Sequence, residues 1–300
     1  MMRTTFRIRQ PYADLFQKCA DEHVCRSPAR PERFIRKMQT HNGIARRSFH
    51  LIDEGELEPG NPVIVALGDS VTAGRFESLM TPALDAAITE HNLRLQTEAE
   101  LDDSYRKTFE DRVLPYIEVF DARESYVEKF REKLIDKYEK TSVSVINSGI
   151  AGDTLPSMAA RAERDVIRYD PDLILFNGSL NWDETYGDAE DFRRILRALI
   201  RRFKEETNAD IILLTPNGDV AGSIFNVPED EWIQPTTWRR VEVIRSLAEE
   251  EQVCLADVRA VWDEAKRVGC PWEELLSNHM NHPSVEGHEV YAKVLMKLFD

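Results

Sequence analysis

Apolar positions along the chain fall into two alternating patterns. Val63-Ile64-Val65-Ala66-Leu67 is a continuous apolar run opened by Pro62 and closed by Gly68, as expected of a strand buried on both faces. Residues 142–147 (SVSVIN), 172–176 (DLILF), 211–214 (IILL) and 253–258 (VCLADV) read as four further strands. Between them the apolar spacing changes to that of helices. One stripe is Leu155, Met158, Ala159, Ala162, Val166 and Ile167; a second is Phe192, Ile195, Leu196, Leu199, Ile200 and Phe203. A third comprises Trp238, Val241, Ile244, Leu247 and Ala248. Another helix is predicted near residues 126–138. The last opens at Ser284, an N-cap residue behind Pro283, and runs through Tyr291, Leu295 and Leu298. Five strands alternating with helices predict an α/β fold with a parallel sheet covered on both faces.

Two segments break the alternation. Residues 1–61 are arginine-rich and weakly periodic, and are expected to add a strand and a helix as an N-terminal extension packed on a domain of residues 62–300. Residues 75–124 separate the first strand from the next helix. That length exceeds an ordinary connection in such folds. Phe76, Leu79, Met80, Tyr105, Phe109, Tyr116 and Phe120 within it are expected to form one wall of a pocket, because the insertion leaves from the end of the first strand; a helical elaboration packed on the sheet's flank, or a dimer contact, is the alternative.

Composition narrows the function. A formal net charge of −15 argues against nucleic acid and anionic membranes as partners. No apolar run reaches the length of a transmembrane helix, and the first residues carry no signal-peptide core. Cys19, Cys25, Cys254 and Cys270 are scattered, which suits reduced thiols and a cytoplasmic location.

Candidate chemistry sits where three predicted strands end. Gly68-Asp69-Ser70-Val71-Thr72-Ala73-Gly74 follows the first strand, Asn147-Ser148-Gly149-Ile150-Ala151-Gly152-Asp153-Thr154 the second, and Asn177-Gly178-Ser179-Leu180-Asn181-Trp182-Asp183 the third. Open α/β sheets bind ligands at this edge. Ser70 offers a hydroxyl; the N–H groups of Ser70 and Gly152 and the amide of Asn181 could serve as oxyanion donors. His282, braced by Pro283, offers a base. No Gly-x-Gly-x-x-Gly or Walker loop supports nucleotide binding, and the spacing of His279, His282 and His288 matches no metal-ligand pattern.

Ser70, Gly152, Asn181 and His282, in that order, resemble the SGNH (GDSL-type) hydrolase family. Residues 68–74 are similar to its first block, 149–154 to its second, and His282-Pro283 with Gly287-His288 to its fifth. The resemblance implies a single flavodoxin-like three-layer domain and a serine esterase needing no metal or organic cofactor. Ser70 would be the nucleophile, His282 the base, and Ser70, Gly152 and Asn181 the oxyanion hole. It also implies a small-molecule ester substrate, most simply an acetyl group on a carbohydrate; lysophospholipids and acyl thioesters are the alternatives within the family. A catalytically degenerate binding protein is the alternative of another class. The third block departs from the family's Gly-x-Asn-Asp, and His279 stands where the family has the triad aspartate. A Ser–His dyad, or orientation of His282 by Asn278 or His279, is therefore expected.

Overall fold

A computed structural model describes residues 10–40, 61–77, 90, 93–94, 104–105, 118–139, 142–182, 186–219, 235–278 and 281–300. The central sheet contains β1 (Val63–Gly68), β4 (Ser144–Gly149), β5 (Leu173–Asn177), β6 (Asp210–Leu214) and β7 (Cys254–Ala256), in the order β4-β1-β5-β6-β7. Every pairing in it is parallel. β2 (Arg75–Glu77) and β3 (Glu118–Phe120) form a separate antiparallel ribbon.

Successive strand side chains point to opposite faces, and the core divides accordingly. Ile64, Ala66, Leu173, Leu175, Ile212 and Leu214 enter one apolar layer. Val65, Leu67, Ile174, Phe176, Ile211 and Leu213 enter the other. The first layer is closed by α1 (Gln10–Glu22), α2 (Glu32–Thr40), α4 (Tyr126–Tyr138), α8 (Val258–Arg267), α9 (Trp272–Leu275) and α10 (Val285–Met296). The second is closed by α5 (Leu155–Asp165), α6 (Ala189–Glu206) and α7 (Pro235–Glu251). A further helix, α3 (Ser70–Ala73), is a single turn directly after β1. This is the expected three-layer α/β architecture.

Among the described residues the N-terminal segment is two helices, without the expected strand. Phe34, Ile35 and Met38 give α2 a buried helical face. Phe16 meets Trp262 edge-on with ring centroids 4.6 Å apart. At the amino edge of the sheet Lys37 Nζ lies 2.6 Å from Asp172 Oδ1, and Asp172 Oδ2 accepts the Val63 N–H at 2.8 Å. The Phe34 N–H donates to Asp210 Oδ2 at 2.8 Å. Both helices thus belong to the core.

The last strand is shorter than the predicted 253–258. Asp257 ends it, its side chain accepting the Ala260 N–H as the N-cap of α8. The period of Val258, Val261, Trp262 and Ala265 marks this helix, and the stripe was hidden because Val258 reads equally well as strand. The insertion leaves and returns through the β2–β3 ribbon, and Asp121 N–H donates to Gly74 O at 3.0 Å. Its roots therefore lie beside α3. The expected pocket wall falls on Phe76, Leu79, Met80, Phe109, Tyr116 and Phe120, whose side chains lie outside the described residues; Tyr105 packs beneath the Arg94 guanidinium. No helix among the described residues is long and apolar enough to cross a membrane.

Candidate active site

The strand register brings the three loops together. Gly68 pairs with Gly149 on one side and with Asn177 on the other, so all three strands end at one level. Their order reverses around β1, which makes this edge the switch point of a doubly wound sheet. A Cβ at Gly68 would come within 2.6 Å of Asn177 O, so only glycine permits the close approach.

Ser70 is the first residue of α3. Asp69 caps that turn, its Oδ1 accepting the Val71 N–H at 3.0 Å. Asp69 is fully buried, and among the described residues Oδ2 has no hydrogen-bond partner. Burial pushes its carboxyl up to about 7, while the Val71 N–H and the nearby His282 pull the other way. Behind it, Thr72 Oγ1 and Tyr126 OH are 2.9 Å apart, and Tyr291 OH donates to Asn217 Oδ1 at 2.9 Å. Burial holds His288 in this layer down at about 3. A neutral His288 accepts the Tyr126 N–H through Nδ1, so it is a core histidine.

His282 Nε2 lies 3.0 Å from Ser70 Oγ, and both residues are buried. The segment carrying His282 is held by its own backbone: His282 O accepts the Ser277 N–H at 2.7 Å, and Ser284 N–H donates to Leu275 O at 3.2 Å. Ser284 Oγ then caps α10 through the Gly287 N–H. Asn217 Nδ2 ties the segment to β6 by donating to Asn281 O at 2.9 Å. Asn278 Oδ1 accepts the N–H groups of Asn281 and His282 at 2.9 and 3.0 Å. Asn278 Nδ2 donates to Asn281 Oδ1 at 2.8 Å and also faces His282 Nδ1 at 3.2 Å. His279, the other candidate for orienting the ring, lies outside the described residues, as does Asp183 of the third loop.

Gly152 has φ +74°, a left-handed conformation, and among the described residues nothing lies within 4 Å of where its Cβ would be. Asn181 is half-buried and donates through Nδ2 to Asp153 O at 3.1 Å. The second and third loops are thereby joined next to Gly152. Two buried arginines that the sequence reading passed over support these loops. Arg161 on α5 contacts Asp153, Asp165 and Gly68 O, and Arg240 on α7 donates to Ser179 O at 2.8 Å. Arg161 carried a signal: it lies on the apolar stripe of Leu155, Met158 and Ala162.

A Ser–His pair at the switch point of a parallel sheet is the arrangement of a serine hydrolase. Residues 66–290 match the model of the GDSL-like Lipase/Acylhydrolase family. The chain belongs to that family and is a carboxylic ester hydrolase. It is 26% identical over 174 residues to an acetylxylan esterase of Geobacillus stearothermophilus, covering 53% of this chain and 74% of that protein. The structure of Axe2, an acetylxylan esterase from Geobacillus stearothermophilus, is similar with a TM-score of 0.53 and 23% identity, over 80% of this chain and 94% of that one. A Parabacteroides merdae protein described as GDSL-like matches with a TM-score of 0.56 and 21% identity, over 79% and 95% of the two chains.

Proposed function

We propose that Ser70 is the nucleophile of this esterase and His282 its general base. The observation that carries the reading is the 3.0 Å approach of Ser70 Oγ to His282 Nε2 at the carboxyl edge of the sheet. Ser70 Oγ attacks the acyl carbon while Nε2 takes its proton. The N–H groups of Ser70 and Gly152 and the Asn181 amide hold the resulting oxyanion. His282 then protonates the departing alcohol. Water, deprotonated by the same nitrogen, releases the acid and restores Ser70.

The substrate we propose is a small acyl ester, such as acetyl on a carbohydrate-like alcohol. Similarity to an acetylxylan esterase supports it. The test is a panel of acetylated xylo-oligosaccharides, p-nitrophenyl esters of graded chain length, lysophospholipid and acyl-CoA, together with a fluorophosphonate probe. Stoichiometric labelling that disappears in Ser70→Ala is expected, with turnover greatest on acetyl esters. An unlabelled serine would refute the nucleophile, and preference for long chains would refute the substrate.

Asn181→Ala is expected to lower kcat by about 10²–10³-fold with little change in KM, as for loss of one oxyanion donor. An effect confined to KM would make Asn181 a ground-state contact instead.

Asn278 orients His282 without supplying charge. An amide N–H facing Nδ1 favours the tautomer protonated on Nε2, which is the wrong one for a base; that mismatch costs a triad enzyme about 10⁴ in rate. Asn278→Asp keeps an oxygen for the N–H groups of Asn281 and His282 and turns a carboxylate oxygen toward Nδ1, with the Asn281 amide turned to donate to it in place of its present acceptance from Asn278 Nδ2. It is expected to raise kcat by about tenfold or more. An unchanged or lower kcat would mean that another group sets the tautomer.

A further inference from the structure

We propose that Arg161 is a positioning residue for the oxyanion hole, a role that rests on the Ser70, Gly152 and Asn181 assignment above. Its guanidinium contacts Gly68 O and the Asp153 carboxylate, groups that adjoin Ser70 and Gly152 in the chain and, through Asp153 O, the Asn181 amide. Nε and Nη2 lie 2.7 and 2.6 Å from Asp153 Oδ2. Nη2 also donates to Gly68 O at 3.1 Å, and Nη1 to Asp165 Oδ2 at 2.9 Å.

Two of these contacts bear on the donors. Gly68 lies two residues before Ser70, and its carbonyl also accepts the Ile150 N–H at 3.1 Å, tying the nucleophile strand to the second loop. Asp153 follows Gly152. Its Oδ1 accepts the Thr154 N–H and its backbone carbonyl accepts Asn181 Nδ2. The direction of the Asn181 amide therefore depends on where Arg161 holds Asp153. Among the described residues nothing packs on the Cβ side of Gly152, so its N–H is aimed by the residues that flank it.

A buried cation is costly unless its partners need it. Arg161 stands on a face otherwise made of Leu155, Met158 and Ala162, where an apolar side chain would pack at lower cost. A lysine carries the same charge but lacks the planar fork that spans Asp153, Asp165 and Gly68 O together.

The experiment compares Arg161→Lys and Asp153→Asn, each alone and combined with Asn181→Ala. The readouts are kcat, KM, inhibition by phenylboronic acid as a tetrahedral oxyanion mimic, and thermal melting. Arg161→Lys is expected to fold and to lose about 10²-fold in kcat with KM within about threefold, because a misplaced donor acts on the transition state. Phenylboronic acid should weaken by a similar factor. In the double variant with Asn181→Ala the loss should fall about tenfold or more short of the product of the single losses, since both changes disturb one donor set. Asp153→Asn, which keeps the carbonyl that holds Asn181, should act in the same direction and carries the test should Arg161→Lys fail to fold.

A lower melting temperature with kcat and boronate affinity unchanged would overturn the proposal, as would losses that multiply. Full activity in Arg161→Lys alongside a dead Ser70→Ala would remove the role of Arg161 and leave the esterase reading standing. A wild-type enzyme inert to every ester and to the fluorophosphonate would remove both.

Discussion

Ser70→Ala and His282→Ala are each expected to lower kcat/KM by at least about 10⁴-fold while the protein stays folded. Ser70 Oγ and His282 Nε2 form one hydrogen-bonded unit, so losing either partner removes the same step. The double variant should be no worse than either single one, because residues acting as a unit are strongly non-additive. The remaining activity would come from substrate binding and the oxyanion donors. The fold should survive because backbone contacts fix the segment that carries His282. Leu276 and Pro283 form an antiparallel bridge, and Ser277 N–H donates to the His282 carbonyl rather than to its ring. Steady-state kinetics on an acetyl ester, with circular dichroism for fold, gives the measurement. Near-wild-type turnover in Ser70→Ala would end the assignment.

The largest effect on stability is expected at the opposite edge of the sheet. Asp172→Ala should destabilise the protein by about 3–5 kcal/mol, as for breaking one partner from a buried ion pair. Lys37 and Asp172 are both about one-tenth exposed and 2.6 Å apart. Removing the carboxylate leaves the Lys37 ammonium unpaired and takes the acceptor from the Val63 N–H. At roughly 2–4 °C per kcal/mol for a chain of this class, the melting temperature should fall by about 10 °C. Lys37→Met should cost less, because Asp172 keeps its backbone donor. Activity per folded molecule should be unchanged, since Asp172 precedes β5 and Asn177 at the far end leads to the site. A melting temperature within about 2 °C of wild type would show that α2 is held by its apolar face alone.

The two regions contrast in how far local sequence reveals them. Ser70, Gly152 and Asn181 stand out because each directly follows an apolar run, and strand ends in a parallel sheet share one edge. The β5 and β6 runs and the stripes of α5, α6 and α7 are equally legible, since burial on both sheet faces demands continuous apolar strands. The N-terminal helices are not. Their value to the protein lies in contacts such as Lys37 with Asp172 and Phe16 with Trp262, between residues far apart in the chain. Helix α8 was obscured by a local ambiguity between strand and helix at Val258.

Local chemistry along the chain was enough to determine the alternation of strands and helices, the residues at the strand ends, and the family to which their order belongs. These are properties of short segments: apolar period, glycine, and a capping side chain. The tertiary structure alone decided which long-range partners those residues acquire. Register set Gly68 level with Gly149 and Asn177. Packing of the segment before α10 brought His282 within reach of Ser70, 212 residues earlier. The two backbone N–H groups that hold Asn278 Oδ1 turned its amide nitrogen toward the imidazole. The helical placement of Arg161 joined the end of β1 and the second loop under one guanidinium. Hydrogen bonds of this kind depend on distance and direction between chain segments, and a linear pattern of residue types specifies neither.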